Sequence, residues 1–600
     1  MTPAGERLTL EDAFRRAVAF HQQGRLDEAE RLYRAILGAA PGHFGALHNL
    51  GALTTQRGRP AEAVPLLEHA LAREPRSTMA HISLGNAFQA MGRFEDAMAC
   101  FERALAIDPN LPEAHHNIGN ALVSLKRHAE AMARYRRAIE MRPDYAEAHY
   151  HMGFALQAQG REQQALEWYD RALSLRPGYA EAHNNRGNAL RAAGRDAEAI
   201  AAYEAGIRAR PAYAETHVNL AAMLLALNRA QDAIARARAL IAIRPDFPEG
   251  HRLLGHALQA LNRHKEAIDA YRRASALNPA YFEAHWRESQ SHLVLGDFAE
   301  GWRKWEYRLL MPSAKRREFP RPQWLGDADL KGKRLFLYAE PGEGFGDTIQ
   351  FVRYAPLAAR RGATVMLEVQ APLAPLFGSL EGIARLVAPG EPPPEFDYHC
   401  PLMSLPFALK TTMATIPAEV PYVAPPREKV DRWMRRIEGR GTGPRIGLAW
   451  SGRPRQGEFS NRPIPLRLLS SILGTPGVRF VALQKDLRDG DAGLLAAHPA
   501  VINLGPELAD FADTAAVLSL LDLVISVDTS VAHLAGALGK PVWILLQFSA
   551  DWRWLLDRSD SPWYPSARLF RQPAAGDWES VVPRVREALG TITPEPVKRG

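Results

Sequence analysis

The hydrophobic and polar positions of this 600-residue chain follow one pattern up to about residue 310 and another after residue 332. In the first part, small and aromatic residues recur in fixed columns at helical spacing, which predicts a succession of packed helices. In the second part, short apolar runs at residues 334–340 and 363–369 are separated by a glycine-rich turn and a helical stretch, as in a β-α-β unit. The change of period predicts an all-helical region followed by an α/β region.

A strict repeat organises the first part, in which eight prolines recur every 34 residues: Pro41, Pro75, Pro109, Pro143, Pro177, Pro211, Pro245 and Pro279. A period of 34 residues is that of a tetratricopeptide (TPR) helical hairpin. We assign eight full repeats over about residues 10–281, and a ninth whose Trp302 and Trp305 are expected to cap the array and dock on another domain. Residues 10–310 are therefore predicted to form a TPR α-solenoid of about nine repeats, with a groove suited to an extended polypeptide.

One column of the repeat carries side-chain amides on the helix that is expected to line the groove: Asn49, Asn117, Asn185 and Asn219. A primary amide can donate to a peptide carbonyl and accept from a peptide N–H, so a ladder of amides can hold a polypeptide backbone. The column is interrupted at Ser83, His151 and Leu253. We predict peptide binding by these asparagines, and the alternative is that they are solvated or capping residues of the helix surface.

A second column contains seven histidines: His81, His115, His149, His183, His217, His251 and His285. Packed helices lie about 8–10 Å apart, whereas zinc ligands lie about 2 Å from the metal. Because of this mismatch, we expect the histidines to pack between first helices or line the groove, and we predict no metal.

The net charge and the cysteine content of the chain exclude several classes of function. The net charge of +7 is modest for 600 residues, and the basic residues are scattered, so nucleic acid is not expected as a partner. The two cysteines, Cys100 and Cys400, are far apart and suggest neither a disulfide framework nor a metal site. We find no signal peptide and no membrane span, and we predict a cytoplasmic protein.

The second part is predicted to contain a linker at residues 311–331 and two Rossmann-like α/β lobes, at residues 332–425 and 443–590. Buried parallel strands are predicted at residues 334–340, 445–450, 478–483 and 523–527. Since ligands of such sheets bind at the carboxyl ends of the strands, the loops that follow these runs should converge on one cleft.

The loop after residue 527 begins with Asp528, Thr529 and Ser530 and leads into a helix that carries His533. Backbone N–H groups at a helix start, together with the two hydroxyl groups, could bind a diphosphate, and His533 would face the cleft one turn later. The alternative is an ordinary N-cap followed by an ordinary helix.

The other notable loop contains Gly342, Gly344 and Gly346 and ends at Asp347. A dinucleotide fingerprint would require a third glycine where Asp347 stands. A carboxylate at a helix N-terminus could instead act as a general base toward a hydroxyl group in the cleft. Simple capping of the helix by Asp347 is the alternative.

The two loops together resemble those of GT-B glycosyltransferases related to the ADP-heptose transferases, over about residues 332–590. That resemblance implies Asp347 as catalytic base, with His533 also in the catalytic site, and Thr529, Ser530 and His533 at the donor phosphates, organised by Asp528. Ser530 stands where those enzymes carry glycine. The resemblance further implies donor contacts from a set of polar residues: Arg462, Gln484, Lys485 and Lys540. For Gln484 and Lys485 the alternative is a solvated turn.

The residues Asp489-Gly490-Asp491 match the D-x-D pattern of metal-dependent glycosyltransferases, but they lie in a polar turn. We therefore predict an inverting transfer without metal or other cofactor, in which the helix dipole, Arg462 and Lys540 balance the charge of the leaving diphosphate.

The order of a repeat array followed by a transferase also resembles the O-linked N-acetylglucosamine transferases and the bacterial TPR-fused glycosyltransferases. This resemblance implies transfer of a sugar from a nucleotide-sugar to Ser or Thr of a polypeptide in the groove, with flagellin as the acceptor it suggests first. Two alternatives stay open, namely a non-catalytic TPR scaffold with a degenerate transferase domain and a heptosyltransferase-like enzyme with a glycan acceptor.

Overall fold

The computed structural model describes residues 9–438, 443–452 and 463–592. The chain forms two compact units, residues 1–220 and 221–600. The division falls inside the repeat array, whereas the sequence pattern places the domain boundary after residue 310. In the described residues, no helix combines the length and the apolar character that a membrane span requires.

The first unit contains helical hairpins, each with a first and a second helix: α1 (Leu10–Gln22), α2 (Leu26–Ala39), α3 (Phe44–Gln56), α4 (Pro60–Arg73), α5 (Thr78–Ala90), α6 (Phe94–Ile107), α7 (Pro112–Ser124), α8 (His128–Met141), α9 (Ala146–Gln157), α10 (Glu162–Leu175), α11 (Ala180–Ala192) and α12 (Asp196–Ala209). Successive first helices contact each other more extensively than successive second helices do. The first helices therefore lie on the inner side of this unit.

Small residues allow the two helices of each hairpin to pack closely. A Cβ atom at Gly187 would lie 2.5 Å from the ring of Tyr203, and one at Gly85 would lie 2.5 Å from the ring of Phe101. Such distances are well inside van der Waals contact, so a side chain at these glycines would force the rings to move. The glycine column thus follows from close contact with the aromatic column.

The histidine column has a structural role. The Nε2 atom of six of these histidines donates to the carbonyl oxygen of the proline six residues earlier, at 2.9–3.3 Å: His81 to Pro75, His149 to Pro143, His183 to Pro177, His217 to Pro211, His251 to Pro245 and His285 to Pro279. Each bond ties a first helix to the turn that precedes it. This agrees with the expectation that the histidines pack within the array.

The second unit begins inside α13 (Ala214–Ala226) and continues with the remaining repeat helices: α14 (Ala230–Ile243), α15 (Pro248–Ala260), α16 (His264–Leu277), α17 (Phe282–Val294) and α18 (Phe298–Trp305). A 3₁₀ helix at Glu306–Leu310 follows.

The first of two parallel sheets has the order β3-β2-β1-β4, with strands β1 (Arg334–Tyr338), β2 (Thr364–Glu368), β3 (Ile383–Val387) and β4 (Tyr398–Pro401). Its helices are short: α19 (Phe345–Phe351), α20 (Ala355–Arg360), α21 (Ala374–Phe377) and α22 (Leu405–Ala408). A further helix, α23 (Arg427–Ile437), leads to the second sheet.

The second sheet has the order β10-β9-β8-β5-β6-β7, with strands β5 (Arg445–Ala449), β6 (Arg479–Ala482), β7 (Ile502–Asn503), β8 (Leu523–Val527), β9 (Val542–Leu546) and β10 (Ala567–Arg571). Its helices are α24 (Leu466–Leu473), α25 (Asp491–Ala496), α26 (Phe511–Ser519), α27 (Ser530–Ala537) and α28 (Val581–Leu589). Every strand pair in both sheets is parallel. The predicted fold class, TPR repeats followed by α/β lobes, is confirmed.

The segment at residues 311–331 is packed against the first sheet, although the sequence predicts a linker. Trp324 is 1% exposed, and its backbone N–H donates to the carbonyl of His399 in β4 at 2.8 Å. On the other face of the same sheet, the ring of Phe319 packs on the rings of Phe336 and Tyr338. The apolar residues of this segment are thus used to cover β-sheet surface.

The ninth repeat docks on the α/β region, as its tryptophans predict. Trp302 is 1% exposed, and its ring lies edge-on against Trp552 at 5.1 Å between centroids and against Phe351 at 6.2 Å. Trp305 reaches the same cluster through Trp552. Because this core is continuous from residue 293 to residue 569, the last repeats belong to the same compact unit as the sheets.

Candidate active site

Three strand-end loops of the second unit meet at one place. A Cβ atom at Gly346, after β1, would lie 2.7 Å from Cδ2 of His533 in α27, which follows β8. A Cβ atom at Gly452, after β5, would lie 3.1 Å from Cγ2 of Thr529. The convergence expected from parallel topology is therefore present for these loops.

Asp347 lies in the first turn of α19 and is 8% exposed. Its Oδ2 accepts a hydrogen bond from the backbone N–H of Gly344 at 3.1 Å, so the side chain caps the helix. Its Oδ1 accepts from the guanidinium of Arg553, which belongs to the other lobe. Capping and a chemical role are compatible here, because the same residue also lines a cavity.

Arg553 is the residue that joins the two lobes at this point, and the sequence does not single it out as a site residue. It is 5% exposed, and its guanidinium binds Asp347, Gln350 and Asp551. Its planar group also lies 4.4 Å from the centroid of the Trp552 ring. In the sequence, the one feature that could have indicated a role for Arg553 is its position between two tryptophans in the aromatic-rich tail of the second lobe.

His533 is buried in the junction between the lobes, whereas the sequence predicts that it faces the cleft. Its Nδ1 is 2.9 Å from the hydroxyl group of Tyr564, and its ring stacks on Trp554 at 5.5 Å. Its Nε2 is 3.7 Å from Oδ1 of Asp528. Burial, with the nearby charge of Arg553, lowers the pKa of His533 to about 4, although Asp528 acts in the opposite direction. The imidazole is therefore neutral near pH 7.

The N-terminus of α27 has features of an anion-binding site. Thr529 is the N-cap residue, but its side chain makes no capping bond and its Oγ1 instead lies 3.1 Å from Oγ of Ser526. Ser530 is the first helical residue. The backbone N–H groups of the first turn have no partner within α27, as is normal at a helix start.

Gln484, predicted to lie at the nucleotide, organises the loop that follows β5. Its Oε1 accepts from the backbone N–H of Trp450 at 3.3 Å and of Ser451 at 3.0 Å, and its Nε2 donates to the carbonyl of Asp486 at 3.2 Å. The side chain is 8% exposed. Its neighbour Lys485 is exposed and donates from Nζ to the carbonyl of Leu508 at 3.1 Å.

Lys540, predicted to bind the donor, lies at a distance from the start of α27 in the sheet. Its Nζ donates to the carbonyl of Ser519, the last residue of α26, at 3.1 Å. The next residue, Pro541, pairs with Val524 near the start of β8. A residue between a helix and the following strand lies at the amino ends of the strands, opposite the edge where Asp528 stands.

Two other candidates concern charge at the donor site. Arg462 lies outside the described residues. Asp491, in the D-x-D sequence, accepts from Nε1 of Trp450 at 2.8 Å and from the backbone N–H of Arg488 at 3.1 Å. Asp491 is 5% exposed, so this carboxylate serves the interior of the second lobe.

The predicted peptide-binding asparagines are half-buried and bonded within the first unit. Asn117 donates to Oδ1 of Asn86 at 3.1 Å, and Asn219 donates to Oδ1 of Asn184 at 2.9 Å. Asn185 donates to the hydroxyl group of Tyr150 in the neighbouring repeat at 2.9 Å, and Asn49 interacts with Tyr33 of the preceding repeat.

A cavity of about 520 Å³ extends from the last repeats to the glycine-rich loop. On the repeat side it is lined by Gln259, Trp286 and Gln290, and on the α/β side by Asp347 and Arg553, among others. Gly342 and Gly344 also line it, whereas Thr529, Ser530 and Gln484 do not. Asp347 thus faces a space that is bounded by repeat helices.

The sequence did not single out Glu343, another of the carboxylic acids that line this cavity. Glu343 accepts from the backbone N–H of Glu340 at 2.7 Å and from the hydroxyl of Thr348 at 3.1 Å. Burial, followed by the charges of Glu340 and Asp347, raises the pKa of Glu343 well above its ordinary value. The glycine-rich loop therefore presents two acidic side chains to the cavity.

Comparison with known families agrees with the order of helical repeats followed by α/β lobes. Models described as TPR repeat or tetratricopeptide repeat match residues 13–44, 45–73, 85–126, 119–160, 144–212, 184–248 and 248–281. A model described as glycosyltransferase family 9 (heptosyltransferase) matches residues 468–554. The chain joins a TPR array to a glycosyltransferase family 9 domain. The family 9 match includes Thr529, Ser530, His533 and Arg553.

Among curated proteins, the chain is similar to Protein FlbA of Caulobacter vibrioides, with 32% identity over 321 residues. The match covers 50% of this chain and 53% of that protein, so the chain spans about half the length of this relative.

Solved structures that are similar to part of the chain include MamA (23% identity, 29% of this chain and 99% of that chain, TM-score 0.26) and a thermophilic TPR protein from Thermus thermophilus (23% identity, 30% and 99%, TM-score 0.28). A tetratricopeptide repeat protein from Parabacteroides merdae shows 18% identity over 42% of this chain and 98% of that chain, with a TM-score of 0.35.

Proposed function

We propose that this protein is a cytoplasmic O-glycosyltransferase that moves a sugar from a nucleotide-sugar to a Ser or Thr hydroxyl group of a polypeptide held by the repeats. The observation that carries the proposal is the cavity, because it places Asp347 opposite helices of the repeat array. The family 9 match supports glycosyl transfer as the chemistry. The repeat array supports a polypeptide as the acceptor.

In the proposed reaction, the carboxylate of Asp347 removes the proton of the acceptor hydroxyl group. The acceptor oxygen forms a bond to the anomeric carbon of the sugar while the bond from that carbon to the diphosphate oxygen breaks. The nucleoside diphosphate leaves with the electron pair. A single displacement of this kind inverts the configuration at the anomeric carbon.

The charge of the leaving diphosphate is balanced, in this proposal, by the start of α27 and by Arg462, without a metal ion. Backbone N–H groups at Ser530 and Val531 point out of the helix start, where the helix dipole favours negative charge. His533, whose Nε2 lies near Asp528, packs against the acceptor loop at Gly346. The GT-B arrangement proposed here places the donor at the second lobe and the acceptor at the first.

The acceptor polypeptide is proposed to lie along the first helices of the repeats, with the predicted asparagines Asn49, Asn117, Asn185 and Asn219 among its contacts. We propose that the first acceptor to be tested should be flagellin from the organism that makes this protein, because the resemblance to TPR-fused transferases suggests flagellin. Neither nucleic acid nor a membrane is part of the proposal.

The test is incubation of the purified protein with a panel of nucleotide-sugars, with and without EDTA, while thermal stabilisation and the intact mass of flagellin are followed. We expect one donor to raise the melting temperature and to add one or more sugar masses to flagellin, with or without EDTA. Failure of every donor to stabilise the protein would favour the non-catalytic scaffold. Transfer that stops in EDTA would contradict the metal-free proposal.

The role of Asp347 is tested with Asp347→Asn. Loss of a positioned general base costs about 10²–10⁴ in rate, and we expect a loss in that range with donor stabilisation unchanged. Full turnover by this variant would remove Asp347 from the mechanism.

A heptosyltransferase-like enzyme with a glycan acceptor is the second candidate, and the family 9 description favours it. The same panel distinguishes the two candidates when lipopolysaccharide core fragments are supplied beside flagellin. Sugar transfer to the fragments alone would select the glycan acceptor.

A further inference from the structure

Gln572 follows β10 directly, and only the oxygen of its side-chain amide is bound. Its Oε1 accepts from the backbone N–H of Gly576 at 3.0 Å and from that of Phe548 at 3.3 Å. These two donors fix the orientation of the amide, because an amide nitrogen cannot accept from them. Gln572 is 2% exposed, and its Nε2 has no hydrogen-bond partner in the part of the chain that the structure describes. Two buried N–H groups are therefore left without an acceptor.

The unpaired nitrogen belongs to a residue that lines the cavity of Asp347. Buried polar groups are nearly always hydrogen-bonded, because a buried donor without an acceptor has lost its bonds to water and gained none in return. An oxygen atom of a ligand in the cavity would supply the missing acceptor. The cavity volume of about 520 Å³ lies within the range of about 300–1,000 Å³ that is usual for small-molecule sites. Gln572 therefore indicates a ligand site.

Three tryptophans of the same cavity show a similar excess of donors. Trp286 and Trp305 belong to the last repeats, and Trp552 follows β9. Among the described residues, no acceptor is bound by the Nε1 atom of any of the three. Their rings form a continuous wall, with centroids 6.3 Å apart for Trp286 and Trp305 and 5.9 Å apart for Trp305 and Trp552. An aromatic wall with a few well-placed polar groups is typical of a pocket for a small molecule.

The cavity also offers a hydrogen-bond acceptor. Glu340 lines it, and the Oε1 of Glu340 accepts from the guanidinium of Arg308. Its Oε2 accepts no hydrogen bond from residues in the described ranges. A hydroxyl group can both donate and accept, so a ligand with several hydroxyl groups matches this mixture of donors and acceptor.

Charge argues against a phosphate group as the ligand of this wall. Four arginines that line the cavity are paired with acids: Arg287 with Glu283, Arg308 with Glu306, Arg317 with Glu368 and Arg553 with Asp551. Lys315 and Arg316, for which the described residues provide no acidic partner, are exposed to solvent. Phosphate is bound by charged donors or by helix N-termini. The buried wall presents neutral donors instead, and these favour hydroxyl oxygens.

We propose that the cavity is a carbohydrate subsite, in which the side-chain nitrogens of Gln572 and Trp286 donate to hydroxyl oxygens of a sugar bound beside Asp347. The inference rests on the proposed function and assigns part of its sugar recognition to the repeats, because Trp286 belongs to α17. The same hydroxyl chemistry is present in the sugar of the donor and in a sugar already attached to the acceptor. Two arms of the test separate these sources.

The first arm concerns the donor. The full-length protein is titrated with each nucleotide-sugar of the panel, and with the matching sugar-free nucleoside diphosphate, by isothermal titration calorimetry without acceptor. Loss of one neutral hydrogen bond costs about fivefold in affinity. Trp286→Phe should therefore weaken binding of the nucleotide-sugar about fivefold. Gln572→Glu, which removes two donors and keeps the oxygen, should weaken it about 25-fold. Affinity for the nucleoside diphosphate should stay unchanged in both variants.

The second arm concerns the acceptor. A fluorescein-labelled Ser and Thr peptide that carries one O-linked sugar is compared with the bare peptide by fluorescence anisotropy, without nucleotide. Weaker binding of the glycopeptide alone in the same two variants, by the same factors, would identify a sugar on the acceptor as the occupant. The matched controls are Gln231→Glu, exposed on α14, and Trp168→Phe, half-buried on α10. Both controls should bind every ligand like the wild type.

A third measurement uses only the wild-type protein and does not depend on the folding of a variant. Methyl glycosides of the sugars in the panel are tested by saturation-transfer NMR, and at least one should receive saturation at its ring protons. Its deoxy analogues should receive less. The subsite would be overturned by the absence of saturation transfer to every glycoside, by wild-type affinities of both variants in both arms, or by equal weakening of sugar-bearing and sugar-free ligands.

Failure of the subsite can be separated from failure of the proposed function. Sugar binding that both variants weaken, without sugar transfer to any acceptor, would support the subsite and refute the transferase. Sugar transfer by both variants with unchanged KM values for donor and acceptor would refute the subsite and leave the transferase intact.

Discussion

Replacing Arg553 by methionine should destabilise the second unit by about 3–5 kcal/mol, the usual cost of leaving a buried charge without its partner. The guanidinium is 5% exposed and binds the carboxylates of Asp347 and Asp551. Methionine would keep most of the packing against Trp552 but would strand both carboxylates. The expected loss therefore reflects charge rather than volume.

Urea unfolding followed by tryptophan fluorescence measures this loss. All but one of the 12 tryptophans lie after residue 220, the exception being Trp168, so the signal reports the second unit. The matched control is Arg436→Met, which breaks an exposed pair with Glu507 and should cost at most about 1 kcal/mol.

A double-mutant cycle tests whether Asp347 is the cause. In an Asp347→Asn background, one of the two stranded charges is absent, so Arg553→Met should cost about 1–3 kcal/mol less than in the wild type. An Arg553→Met variant as stable as the surface control, or a cost that does not change with Asp347→Asn, would refute the reasoning.

Further predictions concern single positions in both units. The pKa of His533 is lowered to about 4 from an unfolded value near 6.5, so its contribution of roughly 3 kcal/mol is present above pH 6.5 and is lost as the pH falls towards 4. Melting temperatures of wild type and His533→Gln should therefore converge over that pH range, and a constant difference would contradict the burial argument. Gly187→Ala should cost about 1–3 kcal/mol in the first unit by circular dichroism, because its Cβ would meet Tyr203, whereas Gly178→Ala has open space and should be neutral. Lys540→Ala should leave donor stabilisation unchanged, since its Nζ binds Ser519 at the opposite sheet edge; weaker stabilisation would restore it to the donor site.

The repeat array could be read from the sequence because its determinants are local and periodic. In five hairpins, Gly packs against an aromatic ring 16 residues later, as at Gly187 and Tyr203, and these contacts recur at multiples of 34 residues. The two strand-end loops were also local signals, because a helix N-terminus and its capping carboxylate lie within a few residues of each other. Asp347 and the residues from Asp528 to Ser530 were found in this way.

The tertiary structure decided which side chains act together. Arg553 meets Asp347 across 206 residues, and no local pattern reports a contact at that separation. Lys540 is only ten residues beyond Ser530, yet the helix between them carries it to the opposite edge of the sheet. Local spacing determined the repeats, the strands and the loops. The partners of each polar group were decided by packing, because an unpaired polar group is costly to bury and most buried charges and amides therefore pair with whatever group the fold brings to them.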